Sequence, residues 1–508
     1  MSGVVGLISN EPVNQVIYDA LLLLQHRGQN SAGIATVEGL QFHLHKGLGL
    51  VNAVFRTRDM RNLAGNSGVG HCRYPTCATA SSNEESSPFY VNAPYGILYC
   101  HEGNLTNAEA LRDELYDEDL RHINTVGDGE ILLNVVADEI SRHCSGRGQF
   151  NPERLFSAMH SVYSRVRGAF ADVALIINKG LVAFRDPHGI RPLCIGRLKK
   201  ADGTYDYMVA SESVALNGLG FEFMRDVAPG EVVFISRDRE LFSAVCAEKT
   251  DLCPCIFEHV YIARPDSVLD GVSVYAARLT LGEKLAARVR SKINPADIDV
   301  VMPIPDSGRP AAQQLAAALK LPYREGFLKN RYVGRTFIMP GQSMRVKTVR
   351  QKLNGMPVEF EGKAVLLVDD SIVRGTTMCE IVKLAREAGA RKVFVASTAP
   401  RVMFPNVYGI DMTTRDELIC GHGLDEDGVA KVVGADAVVY QDLEDLKDAI
   451  IQLNPAVKHY DCSCFDGRYI TGDVDEAYLQ HVESLRKKRL RKNAAQITGS
   501  RLWHTNVF

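Results

Sequence analysis

The stretch from Val365 to Thr377, VLLVDDSIVRGTT, decides how this chain folds. Val365 to Val368 form an unbroken apolar run, the pattern of a strand buried on both faces of a parallel sheet. Asp369 and Asp370 follow at once, and then a loop of Ser371, Ile372, Val373, Arg374, Gly375, Thr376 and Thr377. Beyond it Ile381, Leu384, Ala385 and Ala388 return at helical spacing, so the loop runs into a helix N-terminus. Free backbone N–H groups and the helix dipole favour a phosphate there. Gly375 admits close backbone approach, the two Thr hydroxyls add donors, and the adjacent carboxylates reach the hydroxyls of a sugar. Together these features predict a ribose 5-phosphate ligand. Helix capping alone accounts for the hydroxyls but not for two adjacent carboxylates at the end of a buried strand.

At 508 residues, 46% hydrophobic, the chain needs more than one core, and two or three domains are expected. Its 58 basic and 61 acidic residues leave a net charge of −3, which gives no bulk attraction to nucleic acid or membrane. The 12 Cys follow no disulfide framework, and the start MSGVVGLISN lacks a signal-like pattern. No apolar run approaches the roughly 18 residues of a membrane span. A cytoplasmic protein acting on a small molecule is the expected class.

The loop after Val368 resembles the signature of the type I phosphoribosyltransferases, whose fold is a Rossmann-like parallel sheet. That resemblance implies that Asp369 and Asp370 hold the ribose hydroxyls of phosphoribosyl pyrophosphate (PRPP), and that Ser371 to Thr377 hold its 5-phosphate. VVMPIPDSGRPAA (Val300 to Ala312) reads as a second strand, loop and helix, with Asp306, Ser307, Gly308 and Arg309 placed to meet the pyrophosphate. By resemblance Ser307 joins Asp369 and Asp370 around Mg²⁺, a cation expected because it neutralises the leaving group. Arg309 departs from the family pattern and either strengthens phosphate binding or caps the loop. The segment Lys329 to Arg345, KNRYVGRTFIMPGQSMR, carries Lys329, Arg331, Arg335 and Arg345 and reads as a cationic lid.

At the other end, Val4, Val5, Leu7 and Ile8 suggest a strand opening with Ser2, and small residues at 2 and 3 permit removal of Met1. A free amine beside a hydroxyl is what amidohydrolases with an N-terminal nucleophile require. LQHRGQNSAGI, GHCRYPT, HEGNLTN and GDGE then follow, with FRDPHGIRPL, YMVASESVAL, RDVAPGE and ARPDS beyond them. This set resembles the glutamine PRPP amidotransferases over nearly all of the chain to about Gly472. The family joins an N-terminal nucleophile (Ntn) αββα glutaminase domain to a phosphoribosyltransferase domain and acts in purine synthesis. The resemblance implies residues 1–240 for the first domain, 255–470 for the second and a basic helical tail at 471–508. It implies a glutamine head held by Arg73 at the α-carboxylate and Asp128 at the α-amino group, completed by Thr76 and Gly103. A structural ion pair between Arg73 and Asp128 is the alternative.

The reacting half departs from that pattern. Ser2 stands where the family has a Cys nucleophile, and a hydroxyl yields far less anion than a thiol at neutral pH. Glu102 stands where the family has the Asn of an oxyanion hole. Loss of one such donor costs about 3–4 kcal/mol. An ionised carboxylate 4 Å from the oxyanion would add about 4 kcal/mol of repulsion at an effective dielectric of 20. Half that total slows the reaction roughly a thousandfold. The expectation is a divergent paralogue or variant that uses free ammonia or a small amine on PRPP, with glutamine or glutamate and purine nucleotides as further ligands and a homo-oligomeric (by family, tetrameric) state. A catalytically silent PRPP or nucleotide sensor is the second reading. Cys253, Cys255, Cys462 and Cys464 are expected as packed thiols without an iron–sulfur cluster, since the C-x-C spacing departs from that of cluster-bearing relatives. The basic run Leu485 to Asn493 reads as a solvated helix face, and Trp503 as a residue for a subunit contact.

Overall fold

The expected first strand, β1 (Gly3–Ile8), is buried along its whole length in a computed structural model that describes residues 1–75, 83–144, 150–330, 353–412 and 414–487. Thr76, Arg331, Arg335, Arg345 and Trp503 lie outside the described residues, as do most of the lid segment and most of the basic run. The chain forms two units. The first comprises Met1–Leu252, Asn406–Asp411 and, of Tyr469–Phe508, the described residues up to 487; the second comprises Cys253–Pro405 and Met412–Arg468. These bounds differ from the expected 1–240, 255–470 and 471–508. A short return near Gly409 and the start of the tail pack with the first unit, a long-range choice that no local signal announces.

In the first unit, β1 is followed by α1 (Asn14–Leu23), β2 (Ser31–Glu38), β3 (Gln41–Leu48), β4 (Ser67–Arg73), β5 (Phe89–Val91) and β6 (Ile97–Leu105). Then come α2 (Asp128–Cys144), α3 (Pro152–Arg165), β7 (Gly168–Ile176), β8 (Gly180–Arg185), β9 (Cys194–Lys199), β10 (Tyr205–Ala210), β11 (Glu222–Asp226), β12 (Glu231–Ser236) and β13 (Leu241–Val245). Among the described residues the strands form two sheets, in the orders β11-β9-β10-β1-β4-β2-β3 and β13-β12-β8-β7-β6-β5. The two-residue period of β1 explains the layering. Val5 and Leu7 point to a core shared with Ile17 and Leu21 of α1, while Val4 and Ile8 point to a core shared with Leu98, Val173 and Leu181 of the other sheet. The far side of that second sheet is covered by α2 and α3 through residues such as Ile131, Leu132, Leu155 and Val162. Helix, sheet, sheet, helix is the αββα architecture of Ntn domains.

The second unit is a parallel sheet of β14 (Val300–Pro303), β15 (Ala364–Asp369), β16 (Lys392–Ser397) and β17 (Ala437–Tyr440), in that spatial order. Helices α4 (Val274–Lys292) and α5 (Arg309–Leu319) cover one face through Leu285, Val289 and Leu315. Helix α6 (Thr376–Glu387) covers the other through Met378, Ile381 and Val382. Cores on both faces account for the uninterrupted apolar run of β15. Near its start this unit forms a π-helical turn at Glu258–Ile262. Among the described residues no helix is long and apolar enough to cross a membrane.

Candidate functional site

In the second unit, β14 and β15 pair in register from Val300↔Val365 to Pro303↔Val368. Their following loops therefore emerge side by side at the carboxyl edge of the sheet, where open parallel sheets bind ligands. Ser307 Oγ donates to Asp370 Oδ2, and Ser371 Oγ donates to Asp370 Oδ1 at 2.8 Å. Burial and the neighbouring Asp370 push Asp369 well above the ordinary carboxylate range; burial also raises Asp370, with Ser307 and Ser371 opposing it. Two acidic groups held in this way favour a cation or a multiply hydroxylated ligand. Gly375 caps α6 at φ 76°, a conformation that strains any residue with a Cβ, and an added Cβ would lie 2.4 Å from Ile419 Cδ1. The side chain of Ile372 is buried in the core, so at that position the loop presents only its backbone. Arg374 pairs with Glu417 at 3.0 Å.

Arg309 takes neither expected role outright. It opens α5 and pairs with Asp306 and Glu325, each at 3.1 Å, while Lys329 at the end of the Phe327–Lys329 strand also reaches Asp306. The four Cys of the C-x-C pairs are buried, and a parallel bridge from Cys255 to Asp461 brings the two segments together. Burial drives the thiols of Cys462 and Cys464 upward.

In the first unit a pocket of about 450 Å³ is lined by Ser2, His71, Arg73, Glu85, His101, Gly103 and Asp128 among others. The structure thus brings together every described residue of the predicted amino-acid site. Arg73 Nη2 meets Glu85 Oε2 at 3.4 Å, and Asp128 Oδ2 accepts from the Leu105 N–H at 2.8 Å. Gly103 adopts φ 140° beside them. Ser2 Oγ accepts from the Tyr74 N–H at 3.1 Å. The α-ammonium group belongs to Met1 and donates to the Gly409 carbonyl, so Ser2 gains a free amine only once Met1 is removed.

Glu102 requires a correction. The expected repulsion assumed a carboxylate facing the oxyanion, but its Oε1 accepts from Arg27 Nη2 at 2.6 Å and its Oε2 from Ser211 Oγ at 3.0 Å. Arg191 Nε lies 3.6 Å from the same Oε1. Arg27 also donates to Glu212 at 2.7 Å and, through Nε, to the Ser2 carbonyl at 3.0 Å. All four charged side chains are fully buried. Two positive and two negative charges balance, which is what makes burial of Glu102 tolerable. The Glu102 carboxylate is thus turned to Arg27 and Ser211, and the expected repulsion does not arise. Arg27, Arg191, Ser211, Glu212, His101 and Asp172 were not singled out from sequence, although LQHRGQ, FRDPHGIRPL and YMVASESVAL contain the first four.

These two sites define a phosphoribosyltransferase unit and an Ntn amidotransferase unit in one chain. Residues 75–218 match the glutamine amidotransferase domain family and residues 273–401 the phosphoribosyl transferase domain family. The chain is 53% identical to amidophosphoribosyltransferases of Pseudomonas aeruginosa and Escherichia coli, covering 96% of this chain and 96% of each relative. A solved glutamine PRPP amidotransferase from Bacillus subtilis, complexed with ADP and GMP, superposes with a TM-score of 0.80 at 34% identity, covering 93% of this chain and 98% of that one. The chain belongs to the amidophosphoribosyltransferase family, and it is an enzyme of the phosphoribosyltransferase class.

Proposed function

We propose that this enzyme joins ammonia to C1 of PRPP, forming 5-phosphoribosylamine and pyrophosphate, and that it draws little nitrogen from glutamine. The observation that carries this reading is the Glu102 carboxylate, which accepts from Arg27 and Ser211 and offers no N–H to an oxyanion. Ser2 in the nucleophile position compounds the loss. Asp369 and Asp370 orient the ribose, Ser371 to Thr377 anchor the 5-phosphate, and Lys329 binds the pyrophosphate, a role also proposed for Arg331 and Arg335 on the family resemblance alone. Ser307, Asp369 and Asp370 form a hard oxygen donor set that fits Mg²⁺, which when bound neutralises the departing pyrophosphate. Arg73, Thr76, Gly103 and Asp128 bind glutamine or glutamate weakly. Purine nucleotides, a homo-oligomeric state and a cytoplasmic location belong to the same proposal, in keeping with the nucleotide-bound B. subtilis relative. The test is pyrophosphate and phosphoribosylamine formation from PRPP and Mg²⁺ with ammonium or glutamine as nitrogen source. Ammonium should support turnover and glutamine should not; brisk glutamate release by the unmodified chain would overturn the proposal.

A further inference from the structure

Behind Asp128 of the amino-acid pocket stand two buried titratable groups, His101 and Asp172, that the proposed chemistry does not itself use. His101 on β6 stands directly opposite Asp172 on β7 in the sheet register. Its Nδ1 lies 2.8 Å from Asp172 Oδ1, and its Nε2 lies 3.4 Å from Asp128 Oδ2 at the start of α2. Asp172 is fixed in turn by the Tyr99 hydroxyl at 2.8 Å and by the Glu102 N–H at 3.1 Å. From β4, His71 donates Nε2–H to the His101 carbonyl at 2.9 Å, and Arg73 extends past it toward the pocket. The helix start sits hard against the ring: a Cβ added at Gly129 would lie 3.1 Å from His101 Cβ and 2.9 Å from Phe89 Cε2. A glycine is therefore what lets α2 bring Asp128 within reach of His101.

We infer that His101, clamped as an imidazolium between Asp172 and Asp128, is a positioning residue that holds the Asp128 carboxylate ionised and aimed at the α-amino group of an amino-acid ligand. The inference rests on the reading of Arg73 and Asp128 as an amino-acid pocket and adds the group that sets the charge of that pocket. A neutral imidazole would give neither carboxylate a positive partner, whereas the cation donates Nδ1–H to Asp172 and forms an ion pair with Asp128 at 3.4 Å. Burial opposes a charge on His101, and the two carboxylates outweigh it, so its proton is retained well above the ordinary histidine range. Burial likewise opposes ionisation of Asp128, and the contact with His101 and the Leu105 N–H reverses that balance. Tyr99, His71 and Arg73 complete the titratable or charged groups facing the ring from its own strand and from β4. His71, buried and brought down to about 3, stays neutral and adds no competing charge at neutral pH.

The test uses the full chain, with histidine-selective ¹⁵N labelling and His101→Gln to assign the resonance. Both ring nitrogens of His101 should be protonated at pH 7.5. L-glutamate binding, followed by calorimetry, should vary little between pH 7.5 and 5.5 in the unmodified protein. In His101→Gln it should be about tenfold weaker at pH 7.5 and weaken further on acidification, because an Asp128 without its cation gains a proton as pH falls. Asp172→Asn, which keeps the side-chain shape, should show the same pH dependence if it acts through the His101 charge. A neutral His101 in the unmodified protein, or variants whose binding shows no new pH dependence, would overturn the inference. Failure of the unmodified protein to bind L-glutamate or L-glutamine would sink the amino-acid reading of the pocket, and the nitrogen resonances would still decide the His101–Asp128 pairing.

Discussion

Replacing Glu102 by Asn in a Ser2→Cys background separates the two consequences of this residue. On the proposed reading, Ser2→Cys alone supplies a thiol nucleophile but leaves the oxyanion one donor short. Adding Glu102→Asn restores a side-chain N–H, so glutamine hydrolysis should rise about 100- to 1000-fold over the single variant. The same change breaks a buried ion network. Arg27, Arg191, Glu102 and Glu212 are fully buried and sum to zero; with Asn at 102 they carry one uncompensated positive charge. Breaking a buried pair costs about 3–5 kcal/mol, and Arg27 retains Glu212 and the Ser2 carbonyl, which places this case near 3 kcal/mol. For a unit of this size that corresponds to a melting temperature lower by about 6–12 °C. Glutamate release with PRPP and Mg²⁺ present measures the first effect, and scanning calorimetry of the full chain measures the second as a shift of one transition. Equal glutaminase activity in the single and double variants, together with an unchanged melting profile, would refute the assigned role of Glu102.

Asp369→Asn and Asp370→Asn should each abolish most PRPP turnover with ammonium while leaving the melting profile within a few degrees, since each removes a desolvated carboxylate, half-buried at Asp369 and buried at Asp370, that is costly without its ligand. Retained turnover in either variant would remove the pair from the ribose site. Gly375→Ala, which forces a Cβ into a left-handed position 2.4 Å from Ile419 Cδ1, should cost about 1–2 kcal/mol and raise the KM for PRPP more than it lowers kcat. Steady-state kinetics with wild-type KM would count against the loop as the phosphate anchor. His71 is held neutral by burial at about 3, below its ordinary 6.5, so its contribution to stability is complete above pH 6.5 and is lost as pH falls from there toward 3. The melting temperature of His71→Asn should therefore fall less steeply than wild type between pH 7 and 4; parallel curves would argue against a buried neutral His71.

What the sequence alone determined lies in contiguous segments. The apolar run of β15, its two carboxylates, the small-residue loop and the helix that follows are neighbours along the chain, so period and composition reveal the elements and carry the proposal of a ribose phosphate ligand. The strand and loop from Val300 to Arg309 were legible for the same reason, and the quoted motifs placed Arg73 and Asp128 in one pocket. Tertiary structure alone decided what surrounds them. Glu102 finds Arg27 and Ser211 at separations of 75 and 109 residues, and His101 finds Asp172 at 71. Those pairings depend on the register between β6 and β7 and on how the two sheets face each other. A shift of one residue in such a register would send every side chain to the opposite face, and nothing local in HEGNLTN encodes it. For that reason the sequence could show that a carboxylate replaces an amide at 102, while only the fold decided that this carboxylate would be neutralised by arginine instead of facing the reacting atoms.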